Sequence, residues 1–369
     1  MVLRKDKVHI GNFGGMTMKS PKQSRRKFME DVTLGAAAAG VLVPLLDKNA
    51  SAAAADEMPY RLLGRTGEKV SLLGVGGAHL GVMMPDEEYA IRFIRTAIDE
   101  GVNFVETSWD YDWGLSEYRI GKALRDGYRQ KAFLATKIDG RTKPSAEWQL
   151  DDSLHRLRTD TIDLVQFHEV VNMSDPDRIF GPNGAIETLL AAKKAGKIRY
   201  IGFTSHWGPD VILKTINLGL KNGFTFDTAM VTLNVMDPHF RNVAGEVVPV
   251  LQELGVGVLA FKSMGAGGFV GKKDYSEAKD YDLKPINVAP VECLHYVMSL
   301  PVSVVISGMS TMEILKENLK ITREFRQMSE AQIAELLART AEVGRSGLYE
   351  WWKTPKGLEW TRNHPECFS

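Results

Sequence analysis

Eight short apolar runs, each followed by a segment of helical period, fill the chain from Val70 onward and restrict its fold more than any other feature. The runs are Val70 to Val75, Asn103 to Thr107, Ala132 to Lys137, Ile162 to His168, Tyr200 to Thr204, Thr228 to Val231, Gly257 to Lys262 and Val302 to Ser307. They are rich in β-branched residues, as strands are, and strands that alternate with helices build parallel sheets. The intervening segments repeat apolar residues three and four apart, as in Ile91, Ile94 and Ile98 closed by Gly101, or Leu150, Leu154 and Leu157. Their apolar stripes are expected to face the sheet. Eight is the barrel count, so the expected class is α/β, a (β/α)8 TIM barrel.

A doubly wound open sheet is the alternative, but no G-x-G-x-x-G follows the first strand. Gly74-Val75-Gly76-Gly77 is equally explained by a tight turn. The chain after residue 55 exceeds the roughly 250 residues of a typical barrel. The excess fits an N-terminal β-hairpin over Tyr60 to Val70, turning near Gly64 and Gly67, and a C-terminal helical and aromatic extension. The barrel is therefore placed at residues 56–328 and the extension at 329–369. Ser329 and Gln332 have capping-box spacing at the start of a helix over Ser329 to Thr340. Tyr349, Trp351, Trp352 and Trp360 follow, either walling a substrate pocket or covering the barrel's helices.

Residues 1–55 read as an address. Ser24-Arg25-Arg26-Lys27-Phe28-Met29 precedes an Ala/Gly/Val/Leu stretch from Val32 to Leu46, and Ala50-Ser51-Ala52-Ala53-Ala54-Ala55 supplies small residues for a peptidase. The apolar stretch is shorter than the roughly 20 residues that span a bilayer, so no stable membrane span is expected after cleavage. The paired arginines resemble a twin-arginine (Tat) export signal. That resemblance implies passage through the Tat translocase in a folded state and a bacterial periplasmic enzyme.

The 46 basic and 46 acidic side chains balance only because the two parts differ. Residues 1–55 hold nine bases and four acids, a net +5, and the remainder holds 37 bases and 42 acids, a net −5. An acidic body excludes a basic nucleic-acid footprint. The only cysteines, Cys293 and Cys367, have no metal or redox spacing, and a disulfide scaffold is excluded.

In a parallel barrel, chemistry sits at the carboxyl ends of the strands. Here those ends read Gly76-Gly77, Glu106, Lys137, His168, Thr204-Ser205-His206, Met230, Phe261-Lys262 and Ser307-Gly308, and Tyr111 lies five residues beyond Glu106. A core-facing lysine needs a carboxylate, so Glu106 and Lys137 are expected to pair. A phenol's pKa of about 10 is too high for easy proton donation at neutral pH, and a nearby ammonium lowers it. With His168 bonding a carbonyl oxygen, the set suits protonation of an alkoxide as hydride arrives. An aromatic clamp formed by Tyr111 with Trp109 and Trp113 is the other reading of that loop.

The chain resembles the aldo/keto reductase family. The segments that carry this are Gly101-Val-Asn-Phe-Val-Glu-Thr-Ser-Trp-Asp-Tyr111, Gly114-Leu-Ser-Glu-Tyr-Arg-Ile-Gly-Lys-Ala-Leu124, Ala135-Thr-Lys137, Ser153-Leu-His-Arg-Leu-Arg-Thr-Asp-Thr-Ile-Asp-Leu-Val-Gln-Phe-His168 and Gly196-Lys-Ile-Arg-Tyr-Ile-Gly-Phe-Thr204. The resemblance implies NAD(P)H-dependent reduction of an aldehyde or ketone, or the reverse oxidation, on a monomeric barrel. It implies Tyr111 as acid/base, Lys137 as its partner, His168 as the residue orienting the carbonyl, and Glu106 in the family's aspartate position.

For the cofactor it implies Thr204 and Ser205 where the family carries Ser-Asn, Met230 in place of Gln, and Phe261 as the stacking aromatic. Lys262, with Met264 and Ala266 in the glycine-rich turn, falls where the pyrophosphate lies. Gly76 and Gly77 end the first strand on the same side. Gly308, Met309 and Ile314 stand where many members clamp a 2′-phosphate with Lys, Ser and Arg, so NAD and NADP both stay open, and Glu317 and Asn318 match the adenine-contacting pair. No metal is expected: His206, Asp237 and His239 match no ligand spacing and read as solvated loop residues. Two other classes stay open, a nucleotide-binding or sensor barrel that has lost efficient catalysis, and a cofactor-free isomerase or lyase using Lys137 and Glu106.

Overall fold

The computed structural model describes residues 57–270, 283–284 and 286–355. The segment at 1–55 expected to direct export, Trp360 and Cys367 lie outside them. The N-terminal hairpin pairs β1 (Tyr60–Leu62) with β2 (Lys69–Ser71) in antiparallel fashion. The eight strands β3 (Leu73–Gly76), β4 (Phe104–Glu106), β5 (Phe133–Ile138), β6 (Ile162–Phe167), β7 (Ile198–Ser205), β8 (Thr228–Thr232), β9 (Gly257–Phe261) and β10 (Val304–Gly308) then form a closed parallel barrel in which β10 pairs with β3.

One expected strand divides. Val70 to Val75 supplies both the second arm of the hairpin and the first barrel strand, and Leu72 is the joint: its N–H donates to Pro59 O on the hairpin side, and its carbonyl accepts from Val305 N–H on the barrel side, each at 2.8 Å. The Ser71 hydroxyl donates to Leu73 O at 2.6 Å and fixes the corner. The other seven strands begin and end within two residues of expectation.

The helices wrap the barrel with their apolar stripes inward. In Glu87–Asp99 the buried positions are Ala90, Phe93, Ile94, Ala97 and Ile98, while Ile91 is half-buried. Asp86 caps this helix by accepting from Tyr89 N–H at 2.7 Å, which satisfies one of the donors a helix start leaves open. In Lys143–Leu157, Leu150 and Leu157 are buried and Leu154 is half-buried. The expected capping box stands at the last long helix, Glu330–Gly344, with Ser329 N–H donating to Gln332 Oε1 and Gln332 N–H to Ser329 Oγ.

The hairpin closes the amino end of the barrel. Leu63 and Val70 join a buried cluster with Phe104, Phe133, Leu164, Leu259 and Val304 from the strands. Gly64 makes this fit: with φ +52 it lies against β9, and a Cβ there would stand 2.4 Å from Gly257 N. At the other end of the chain, the turn Leu348–Lys353 is buried, with Lys353 fully enclosed between Asp237 (2.5 Å) and Glu350 (2.9 Å). Cys293 is buried in Pro290–Ser299, where burial pushes its thiol up to about 12. Among the described residues no helix is long and apolar enough to cross a membrane.

Candidate active site

Glu106 ends β4 and Lys137 is the penultimate residue of β5, both about 1% exposed. One Glu106 oxygen pairs with the Lys137 ammonium, and the other accepts from Gly77 N–H at 3.1 Å. Lys137 Nζ also donates to Thr107 O and to Tyr111 Oη, each at 2.8 Å. An ammonium has three protons, and three acceptors surround this one. The longer side chain of glutamate is taken up by the Gly77 contact, and the ammonium still meets the phenol oxygen.

The turn that carries Tyr111 is held in an unusual shape. Asp112 (φ 49) and Trp113 (φ 57) are successive left-handed residues without being glycine. Backbone in that region costs energy and persists where its surroundings fix it. Here Asp112 Oδ2 accepts from Val82 N–H at 2.9 Å, and Gly114 (φ +87) turns the chain into the helix Leu115–Ala123. Trp109 and Trp113 point elsewhere: Trp109 Nε1 donates to Asp152, and Trp113 is 81% exposed.

His168 follows β6 and meets the edge of Tyr111, their ring centroids 5.7 Å apart. Its Nδ1 lies 2.8 Å from Asp139 Oδ1, 3.3 Å from Ser108 Oγ and 3.5 Å from Asp110 Oδ1. Arg141, fully buried, donates to Asp139 O, His168 O and Glu169 O, tying the two strand ends together. Gln149 Oε1 accepts from both Asp139 and Gly140 N–H.

Burial sets the protonation of this end of the barrel, because low polarity penalises charge. It pushes His168 down to about 4, against the pull of Asp110, and lowers His206 as well, with Lys262 adding to that effect. It pushes Asp139 up to about 7, moderated by Arg141, and Glu169 up to about 8, reinforced by Asp110 and Asp139. Asp110 is raised likewise. Buried atoms here without a hydrogen-bond partner among the described residues include Asp110 Oδ1, Asp139 Oδ2, Glu169 Oε2 and His206 Nδ1.

His206 is mostly enclosed rather than solvated, its ring edge-on to Phe261 at 4.7 Å and its Nδ1 3.6 Å from Glu169. Asp237 is spent on Lys353, and His239 Nε2 contacts Thr340 Oγ1 at 3.1 Å. Asp110, Asp139 and His168 are the one group of ligand-type atoms within 4.8 Å of one another among the described residues. The imidazole nitrogen of the group, Nδ1, is in hydrogen-bond contact with Asp139 and Ser108.

The expected cofactor positions divide by what their side chains already do. Thr204 Oγ1 accepts from Glu169 N–H at 2.9 Å, and Ser205 Oγ donates to Val170 O at 2.7 Å and accepts from Trp207 N–H. Both hydroxyls thus hold backbone. Met230 packs in the barrel interior, its sulfur 4.0 Å from Gln166 Nε2. Phe261 ends β9 and is 8% exposed. Lys262 (φ 59) places its ammonium 5.4 Å from the Trp352 ring centroid and 5.8 Å from that of Trp351, which puts these tryptophans at the carboxyl rim.

Met264 and Ala266 are half-buried in the turn beyond Lys262. Gly77 packs so closely on Thr107 and Ser116 that a Cβ would overlap them, and Gly76 lies against Ser307. Gly308 is exposed beside His79, and Met309 is buried. Asn318 is buried and donates to Ser307 Oγ at 2.9 Å, whereas Glu317 is exposed. Asp139, Asp110, Glu169 and Arg141 were not anticipated from sequence. The one available signal was Asp139 two residues past Lys137, the spacing that returns a strand to the same face.

The sequence model of the Aldo/keto reductase family matches residues 72–293. The chain belongs to the aldo/keto reductase family. Among curated relatives, an uncharacterized oxidoreductase, YrpG of Bacillus subtilis, is 32% identical over 236 residues, covering 58% of this chain and 69% of its own. An L-galactose dehydrogenase of Arabidopsis thaliana is 27% identical over 312 residues, covering 74% and 90%. Among solved structures, the holo form of an aldo-keto reductase from Bacillus halodurans superposes with a TM-score of 0.62 at 27% identity, covering 76% of this chain and 96% of that one. This aldo/keto reductase is an oxidoreductase of a family that generally uses NAD(P)H.

Proposed function

We propose that this aldo/keto reductase interconverts a carbonyl compound and its alcohol, with Tyr111 handling the proton. The carrying observation is the 2.8 Å contact of Lys137 Nζ with Tyr111 Oη, backed by the buried Glu106. When bound, the nicotinamide cofactor supplies or takes up the hydride. Tyr111 gives its proton to the substrate oxygen in reduction and regains it in oxidation. Lys137 faces the phenolate that remains, and a charge-assisted hydrogen bond is strongest when that oxygen is ionised. Glu106 pairs with the ammonium and holds it in place, and His168 orients the reacting oxygen.

The residues present fit a nicotinamide. Phe261 offers the ring for stacking, and the unpartnered Glu169 Oε2 lies beside His206, which contacts that ring. An amide N–H of the carboxamide would satisfy it. Lys262, Gly76, Gly77, Met264 and Ala266 would face the phosphates, and Gly308, Met309, Glu317 and Asn318 the adenosine end. The test is turnover of NADH and NADPH with a panel of aldehydes and ketones. Loss of a general acid costs about 10²–10⁴-fold, so Tyr111→Phe is expected to lose at least 100-fold in kcat, and undiminished turnover would refute the role.

A second reading has support in the hydroxyls of Thr204 and Ser205, both engaged with backbone, and in Met230, enclosed in the core. It is a nucleotide-binding barrel with weak catalysis, and fluorescence titration showing tight binding of either dinucleotide without turnover would select it.

Export by the twin-arginine route as a folded, cofactor-loaded monomer completes the proposal, resting on Arg25, Arg26 and the apolar stretch behind them. Replacing both arginines by lysine is expected to retain the protein in the cytoplasm on cell fractionation, and unchanged export would refute it.

A further inference from the structure

The contact between Asp139 and His168 plays no part in the mechanism above, yet it decides what the imidazole can do. Nδ1 is the nitrogen facing Asp139 at 2.8 Å, with Ser108 and Asp110 behind it. Nε2 is therefore the ring nitrogen left for the reacting oxygen. A neutral imidazole carries one N–H and one lone pair, and the bond made by one nitrogen fixes the role of the other. If Asp139 is a carboxylate, Nδ1 holds the proton and Nε2 only accepts. If Asp139 is protonated, it donates to Nδ1, and Nε2–H donates.

Resting on the hydride-transfer reading, we propose that Asp139 and His168 form a proton-holding pair that switches Nε2 between donor and acceptor and so biases the enzyme between carbonyl reduction and alcohol oxidation. The two forms differ by one proton. Going to the donor form, Nε2 gains a proton from solvent while the Nδ1 proton passes to Asp139; the reverse returns both. In reduction, Nε2–H donates to the carbonyl oxygen beside Tyr111. In oxidation, the Nε2 lone pair accepts from the alcohol O–H. Asp139 never meets the substrate and is a positioning residue.

The surroundings bring the switch into the neutral range. Burial raises Asp139 to about 7 and lowers His168 to about 4, so the pair exchanges its proton at Asp139 while the imidazole stays neutral. The charged and titratable groups that face the pair are Asp110 and Tyr111 from the loop after β4, Glu106 and Lys137 from β4 and β5, and Arg141 from the loop after β5. Behind these lie Asp175, 3.6 Å from Arg141, and the enclosed Glu169, His206 and Lys262. Arg141 and Lys137 favour the carboxylate, and burial opposes them. With Arg141 bound to the backbone at both residues, the imidazole has little freedom to rotate away.

The test uses the full chain labelled with ¹⁵N-histidine, the His168 signals being assigned with His168→Gln. Between about pH 5 and pH 9, the expected result is a change from the Nε2–H to the Nδ1–H tautomer centred near neutrality, and its loss in Asp139→Asn, whose amide cannot titrate. In parallel, kcat for reduction is expected to fall and kcat for oxidation to rise through that same pH, with KM little moved, and the crossing is expected to disappear in Asp139→Asn. A single His168 tautomer throughout the range, or the same change in wild type and Asp139→Asn, would overturn the proposal. The NMR result needs no turnover: a tautomer change in a protein that turns over no substrate would overturn the direction bias together with the hydride-transfer reading on which it rests.

Discussion

At the scale of single residues, Glu106 and Lys137 show how a barrel interior tolerates ions. Removing one partner of such a buried pair leaves the other uncompensated, at about 3–5 kcal/mol. Lys137→Met is therefore expected to destabilise by roughly that amount in urea unfolding, and Lys137→Met with Glu106→Leu to recover most of the stability but none of the turnover. A pH effect follows from Glu169, raised to about 8 by burial. A carboxyl raised on folding stabilises below its unfolded value of about 4.3, and that contribution is lost as pH climbs through the folded value. Asp139, at about 7, acts in the same direction. Thermal unfolding of the ligand-free protein is expected to show stability declining from about pH 5 to pH 8, less steeply in Glu169→Gln. The candidate set was legible because Glu106, Lys137 and His168 are polar ends to apolar runs. Asp110, Asp139 and Glu169 were not, since they lie past the strands, where pattern no longer fixes direction; Glu169 itself has φ 46.

At the scale of elements, the barrel was readable because each strand is a short apolar run and each helix carries its period, and seven of the eight strands begin and end within two residues of expectation. The exception, Val70 to Val75, has no internal punctuation: one apolar run serves two sheets, and only the hydrogen bonds of Leu72, its N–H to Pro59 O and its carbonyl from Val305 N–H, reveal the joint. The hairpin turn gives a paired prediction. Gly64 and Gly67 both have positive φ, but a Cβ at Gly64 would collide with β9, whereas Gly67 has nothing within 4 Å. Gly67→Ala is expected to cost only the left-handed backbone, about 1–2 kcal/mol. Gly64→Ala should cost roughly 2–5 kcal/mol once overpacking is added. Equal losses in chemical denaturation would mean that the hairpin does not seat against the barrel as described.

At the scale of the whole molecule, Lys353 joins parts that no local pattern connects, since Asp237 lies 116 positions earlier in the chain. Its ammonium also reaches Glu350, which Asn234 holds at 2.9 Å, and so fastens the tryptophan-bearing turn to the loop after β8. Lys353→Met is expected to destabilise by about 3–5 kcal/mol and to red-shift tryptophan emission as Trp351 and Trp352 meet water; unshifted emission would show the turn held by packing alone. Sequence revealed the aromatic tail but left its position open, because the ion cluster that places it is assembled only by the fold. The closed barrel bears on association between chains. Exposed strand edges are where proteins add to one another, and a closed sheet has none. Among the described strands only the three-residue arms of the hairpin have a free side. There the Asn103 side chain takes Ser71 N–H at 2.7 Å and donates to Lys69 O at 2.9 Å. One amide thus occupies the outer edge of β2, which leaves the three residues of β1 as the free strand edge among the described residues.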